Sequence, residues 1–167
     1  MFLWKKEVKK PLSQKGMMNK ITLTQGKLTI VDDEDYEFLN QWKWHYGGKG
    51  YAVRTIYTGS RTNGTRKGIK IMMHRIIMKT PVGMETDHRN GNTLDNRKVN
   101  LRNCTRIQNR WNNKSKGYSW HKGDKKYQVT ITINKQSKYL GSFKTKEEAI
   151  NIYKKAAKQY FGEYART

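Results

Sequence analysis

Residues Thr86–Arg102 read TDHRNGNTLDNRKVNLR. Asp87 and His88 are adjacent, Asn100 follows thirteen residues after Asp87, and Asn109 nine after that. A carboxylate beside an imidazole, with amides spaced around a glycine turn, suits phosphate chemistry. One carboxylate and one amide oxygen, from Asp87 and Asn109, make a sparse, hard donor set for a single Mg²⁺, with Mn²⁺ as substitute. Such an ion keeps several waters and takes phosphate oxygens as further ligands. Held there, it clamps a scissile phosphate and stabilises the leaving oxygen. His88, neutral near pH 7, takes a proton from the attacking water. Asn100 either orients the imidazole or pins the loop. The bland alternative is a polar loop without chemistry, since asparagine is a poor choice inside helices and strands. The order and spacing of the residues weigh against it.

For these groups to meet, RNGN must turn and LDNRKVN must bend, which predicts a short hairpin followed by a helix. Asp87 and Asn109 then approach each other across the fold. Strand neighbours point to opposite sides, so Asp87 and His88 need a twist or turn to address one phosphate. Upstream, ITLTQGKLTIVDD alternates around Gln25-Gly26 as a hairpin does, and Asp32 stands where it caps a helix over DEDYEFLNQ. KWHY and YAVRTIY flank GGKG, a second hairpin signal. SRTNGTRKG is a polar turn or loop. IKIMMHRIIM predicts a strand running into a short helix that Pro81 ends. Residues 1–19 are basic and poorly patterned, and are expected to form a loose arm.

The stretch MHRIIMKTPVGMETDHRNGNTLDNRKVNLRNCTRIQNRWN resembles an HNH endonuclease of the kind carried by bacteriophages and mobile introns. The likeness covers about residues 20 to 113 with the preceding strands. It implies a ββα-metal core in which Asp87 and Asn109 are metal ligands, His88 is the general base and Asn100 is the middle asparagine. Asn109 departs from the histidine that many members carry; a branch of phage homing enzymes has asparagine there. Among the other histidines, His74 is expected to be structural and hydrogen-bonded, His45 to pack among aromatics, and His121 to lie on the surface or on a DNA face.

The last fifty residues carry a second pattern. KKYQVTITIN alternates strictly, with Tyr127, Val129, Ile131 and Ile133 on one side and Gln128, Thr130, Thr132 and Asn134 on the other. KYLGSF returns the chain, and Gly141 marks a bulge if Leu140 and Phe143 are both buried. Thr145 and Glu148 form a capping box for a helix over TKEEAINIYKKAAKQYFGE, which Gly162 ends. With SWHK as first strand, the prediction is a three-stranded antiparallel sheet packed on one helix. GYSWHK, YLGSF, the T-x-EEA element and AAKQYFGEYA resemble the plant ethylene-response-factor (APETALA-type) DNA-binding domain. That likeness implies a sheet lying in the DNA major groove. Where many relatives present arginine, this strand offers Gln128, Thr130 and Thr132, which suit adenine and thymine edges. Trp120, Lys122, Lys126 and Lys138 are the other expected contacts, each weighed against a core ring or a solvated face.

The expected class is therefore α+β: small hairpins and a ββα core, then the sheet and helix. The domains are a 1–19 arm, a 20–114 nuclease domain and a 115–167 DNA-binding domain. Net charge supports a polyanionic partner. The chain carries +22, and residues 117–167, with eleven basic and four acidic residues, hold +7 of it, so the excess is no basic tail. Double-stranded DNA is the expected partner. A membrane is not, since no apolar run approaches ~18 residues. The lone Cys104 rules out an internal disulfide and suits a reducing cytoplasm, that of a bacterial host if the gene is phage-borne. No protein partner or dimer signature is evident. A monomer with one site leans towards nicking. Two other readings stay open: a DNA-binding regulator with a spent nuclease domain, and an RNA-binding protein whose aromatics stack on single strands.

Overall fold

A computed structural model describes residues 18–57, 68–112 and 116–166. Most of the expected arm, most of the SRTNGTRKG loop and the expected boundary at residue 115 lie outside the described residues. The described chain divides into two compact units. One draws on Met1–Ile77 and Thr93–Val99, the other on Met78–Asn92 and Asn100–Thr167.

In the first unit, β1 (Met18–Thr22) pairs antiparallel with β2 (Leu28–Asp32). Gln25 and Gly26 turn the chain at φ 62° and 64°. Helix α1 (Asp33–Leu39) opens with Asp33, Glu34 and Asp35, which complement the positive end of its dipole. Asp32 stands at the N-cap but does not cap through its side chain. Its Oδ2 instead accepts a bond from Lys98 N at 2.7 Å. β3 (His45–Tyr46), β4 (Ala52–Tyr57) and β5 (Gly68–Met72) form a meander that runs into α2 (Met73–Ile77). Ile21, Val31, Leu39, Trp44, Ala52 and Met73 are buried. His74 is buried too, its ring 5.0 Å from that of Tyr51, and His45 is half-buried.

The asparagine-rich run turns out to divide its labour. Asp95 makes a parallel bridge to Ile30 of β2, and Asn96 is fully buried with its Nδ2 donating to Thr29 Oγ1 at 2.7 Å. Asp95 also grips Arg97 through two bonds of 2.7 and 2.6 Å. The Leu94 carbonyl and the Asn96 N–H satisfy the backbone of Ile30 and dock this segment along β2, while the Asn96 amide ties it to the Thr29 hydroxyl.

In the second unit, β6 (Glu85–His88) pairs antiparallel with β7 (Leu101–Cys104), and α3 (Arg106–Trp111) follows. Thr105 and Gln108 cap α3 reciprocally. β8 (Tyr118–His121), β9 (Lys126–Ile133) and β10 (Gln136–Phe143) make a sheet ordered β10-β9-β8, and α4 (Lys146–Phe161) packs on β9 and β10. The register shifts between Tyr139 and Gly141, whose φ is 130°, while Leu140 and Phe143 are half-buried. Thr145 and Glu148 form the capping box and Gly162 ends the helix at φ 57°. Gly117 permits a close approach as well as a left-handed turn: a Cβ there would collide with the Tyr153 ring.

The core of this unit holds Ile131, Ala156, Ala157 and Phe161, with Trp111 packed against it. Trp111 stacks on Phe161 at 5.0 Å and 11°. A residue of α3 thus shares the core of the sheet and helix that follow residue 115. The two-sided small sheets with their helices give a mixed α+β architecture. No described helix is long and apolar enough to cross a membrane.

Candidate active site

Asp87 lies directly opposite Arg102 in the β6–β7 ladder, and His88 opposite Leu101. Opposed residues share a face of the ribbon, so the register alone brings the carboxylate to the guanidinium. Both are buried, at 6 % exposure each. Asp87 Oδ2 accepts from Arg102 Nε at 2.8 Å and Nη2 at 2.6 Å. A buried pair of this kind needs its remaining polar atoms satisfied. The same guanidinium donates through Nη1 to the carbonyl of Glu163 and lies 4.4 Å from the centroid of the Tyr164 ring.

Glu85 and Asp87 are two apart in a strand and so share the face that α3 covers. Asn109 meets the first of them and Asn112, three residues on, meets the second. Asn109 Nδ2 donates to Glu85 Oε2 at 2.5 Å. Asn112 Nδ2 lies 2.8 and 3.0 Å from the two oxygens of Asp87 and 2.8 Å from the carbonyl of His88. Three acceptors thus converge on one NH₂ group that has two hydrogens. Asn112 Oδ1 is buried and has no hydrogen-bond partner among the described residues. The amide that reaches Asp87 is therefore that of Asn112, not that of Asn109.

His88 ends β6 and is buried. Its carbonyl accepts from Gly91 N at 2.7 Å, which closes the turn that RNGN makes. Asn100 is buried behind that turn. Its Oδ1 accepts from Asn90 N at 3.0 Å and its carbonyl from Arg89 N at 2.8 Å, so both ends of the residue pin the loop after His88. Among the described residues, no cluster of three or more His, Cys, Asp or Glu side chains could hold a metal ion. A cation here would have to accept the sparse donor set of Asp87 and an asparagine. Asn112 presents its NH₂ group to Asp87 and keeps a buried Oδ1 without a hydrogen-bond partner among the described residues, and hard divalent ions take carboxylate and amide oxygens.

Cys104 lies behind the site and takes no part in it. Burial pushes its thiol up to about 11, the nearby Asp87 adds to this, Arg102 opposes it and Glu85 adds a little more. It is a packed thiol, not a nucleophile.

The expected DNA contacts divide by face. Lys126, Gln128, Thr130 and Thr132 alternate along the open side of β9, and Thr130 and Thr132 are exposed. Ser119, Ser142, Tyr139 and Ser137 stand opposite Gln128, Thr130 and Thr132 on that side. Trp120 is opposite Tyr127, on the side that α4 covers, with the rings 4.8 Å apart. Lys138 is opposite Ile131 on that same side, and its Nζ donates to the Tyr160 hydroxyl at 2.8 Å. Lys122 is exposed just beyond β8. His121 is exposed and pairs with Asp124 at 3.1 Å.

This stretch can be compared with known proteins. Residues 73–111 match the family model of HNH endonucleases. Over 152 residues the chain is 29 % identical to an uncharacterized HNH endonuclease of Acanthamoeba polyphaga mimivirus, covering 84 % of this chain and 74 % of the relative. No solved structure matches it. The HNH match spans β6, the turn Lys98–Asn100, β7 and α3, so Asp87, His88, Asn100 and Asn109 all fall inside it. Asn112 lies one residue beyond the matched segment.

Two residues of the site escaped the sequence reading. Arg102 was in the quoted motif, but its meeting with Asp87 depends on the register of β6 against β7, which no residue type fixes. Asn112 carries a readable signal: it lies three residues after Asn109, at the C-cap of α3.

Proposed function

We propose that this chain is an endonuclease that hydrolyses a phosphodiester bond of duplex DNA with the help of one divalent cation, Mg²⁺ or Mn²⁺. The observation that carries the reading is the convergence of Asp87, the His88 carbonyl and the Asn112 amide inside and beside the segment that matches the HNH family. Asp87 and an asparagine carbonyl, that of Asn112, would hold the ion. When bound, it supplies positive charge to the scissile phosphate and to the oxygen that leaves.

The chain's own residues do the rest. His88 accepts the proton of the water that attacks phosphorus. Asn100 fixes the loop that follows His88 and so sets where the imidazole stands. Asn109 holds Glu85 and thereby seats α3 on β6. The open face of β9, with Gln128, Thr130 and Thr132, lies along the duplex and reads it with little use of guanine. Coupling a reader to a cutting site raises the effective concentration of DNA at the site. One site in a monomer cuts one strand, so nicking of the homing type is the expected mode.

The test is conversion of supercoiled plasmid by wild type and His88→Ala, with Mg²⁺, with Mn²⁺ and with chelator. Open circles that need metal and His88 support the proposal. A second reading, a DNA-binding regulator, draws on the Asp87–Arg102 pair, since a carboxylate already neutralised is a poorer metal ligand. Tight duplex binding without cleavage of a genomic library would favour it.

A further inference from the structure

Asp87 receives its contacts unequally. Oδ2 takes both nitrogens of Arg102 and shares the Asn112 amide, whereas Oδ1 takes that amide alone. What fixes Arg102 comes from the far end of the second unit. The 3-10 turn Gly162–Tyr164 follows α4 directly and sets its Glu163 carbonyl and Tyr164 ring against the guanidinium. The same segment braces the loop after His88. Arg89 pairs with Glu163 at 3.1 Å, and Arg166 Nη2 donates to the Asn90 carbonyl at 3.3 Å. Gly91 lies so near Arg166 that a Cβ there would collide with the guanidinium.

We infer that the Glu163–Arg166 segment is a positioning element of the candidate active site. It fixes Arg102, which grips Oδ2 of Asp87 and so sets where Oδ1, bonded to the Asn112 amide, stands. The inference rests on the nuclease reading above for what Asp87 does, but the clamp itself is built from contacts within one unit. A planar guanidinium suits the task because it can hold a carboxylate through two nitrogens while its face lies on an aromatic ring. Lysine offers only a point charge there. Removing the ring frees Arg102 to tilt and lets Asp87 rotate, which costs the site a fixed ligand oxygen.

The experiment uses the full chain as wild type, Tyr164→Ala, Tyr164→Phe and Arg102→Lys. Mn²⁺ binding without DNA is measured by electron paramagnetic resonance, and plasmid cleavage is resolved into kcat and KM. Circular dichroism and thermal melting establish that each variant is folded. Tyr164→Ala is expected to weaken Mn²⁺ binding and lower kcat by about 10- to 100-fold, the range for groups that orient metal ligands. KM for DNA should stay unchanged, and Tyr164→Phe, which keeps the ring face, should behave as wild type. Arg102→Lys should fall with Tyr164→Ala. A folded Tyr164→Ala with wild-type Mn²⁺ affinity and kcat overturns the inference. So does loss in Tyr164→Phe equal to that in Tyr164→Ala. If wild type binds Mn²⁺ but cuts nothing, the nuclease reading fails while the affinity series still judges the clamp; if wild type binds no Mn²⁺, the inference falls with the ligand role of Asp87.

Discussion

Arg102 and Asp87 face each other across two paired strands, and the guanidinium holds a single carboxylate oxygen through Nε and Nη2 at 2.8 and 2.6 Å. The pair is buried, and each side chain is the other's charged partner. Substituting one alone leaves an uncompensated charge in the interior. Arg102→Ala is expected to destabilise the chain by about 3–5 kcal/mol. A double variant, Asp87→Asn with Arg102→Met, should recover much of that loss. Urea unfolding of the three proteins measures it, and a single variant within about 1 kcal/mol of wild type would show the pair to be energetically idle.

Asn109 and Asn112 give opposite expectations for function. Asn112 touches Asp87 and the backbone of His88, whereas Asn109 touches Glu85. Asn112→Ala should reduce metal-dependent cleavage by about 100-fold, and Asn109→Ala by about tenfold or less, acting through the seat of α3. The reverse order would restore Asn109 as the ligand and make Asn112 a structural tie.

Cys104 sets a pH dependence. Its thiol titrates at about 11 in the fold against an ordinary 9.0. Below pH 9 both folded and unfolded chains keep the proton, so the contribution is constant. Between about 9 and 11 the unfolded chain loses the proton first and stability falls as pH rises. Cys104→Ala should flatten that part of the stability profile. At pH 8 the thiol should react with a disulfide reagent only as fast as the chain opens. Rapid labelling of folded protein would place the thiol at the surface.

The sheet offers a test by face. Thr130→Ala with Thr132→Ala should alter which sequences are selected from a random duplex pool, with little change in the salt dependence of binding, because neither residue is charged. Lys126→Ala should weaken all sequences together and flatten the salt slope by about one unit. Lys138→Ala, on the helix side, should do neither. A strong effect at Lys138 would mean that DNA approaches the other surface.

Much of this was readable from residue types. Strict alternation over Tyr127–Ile133 gave the middle strand because its burial repeats every two residues. Thr145, Glu148 and Gly162 bracketed α4 through capping chemistry that acts locally. The hairpin at Gln25-Gly26 and the strand-to-helix passage at Met72–Met73 followed from similarly local signals. What stayed hidden depends on register and tertiary packing. Which amide meets Asp87 is decided by how α3 lies along β6, and one helical turn separates Asn109 from Asn112. The side of the sheet on which Lys138 lies follows from its place opposite Ile131, together with the bulge before Gly141. The core shared by Trp111 and Phe161 joins residues fifty apart, and no local pattern announces it.

The chain leaves the first unit after Ile77, returns to it for Thr93–Val99, and leaves again. A gene fragment encoding residues 78–167 would therefore carry seven residues whose partners it lacks, among them Asn96, whose bond to Thr29 would be lost. A fragment ending at residue 77 would leave β2 without the strip that satisfies Ile30. Recombination at any single point cannot deliver either unit whole. The interleaved path makes the two units heritable together, so the segment that matches the HNH family travels with the first unit or does not travel intact.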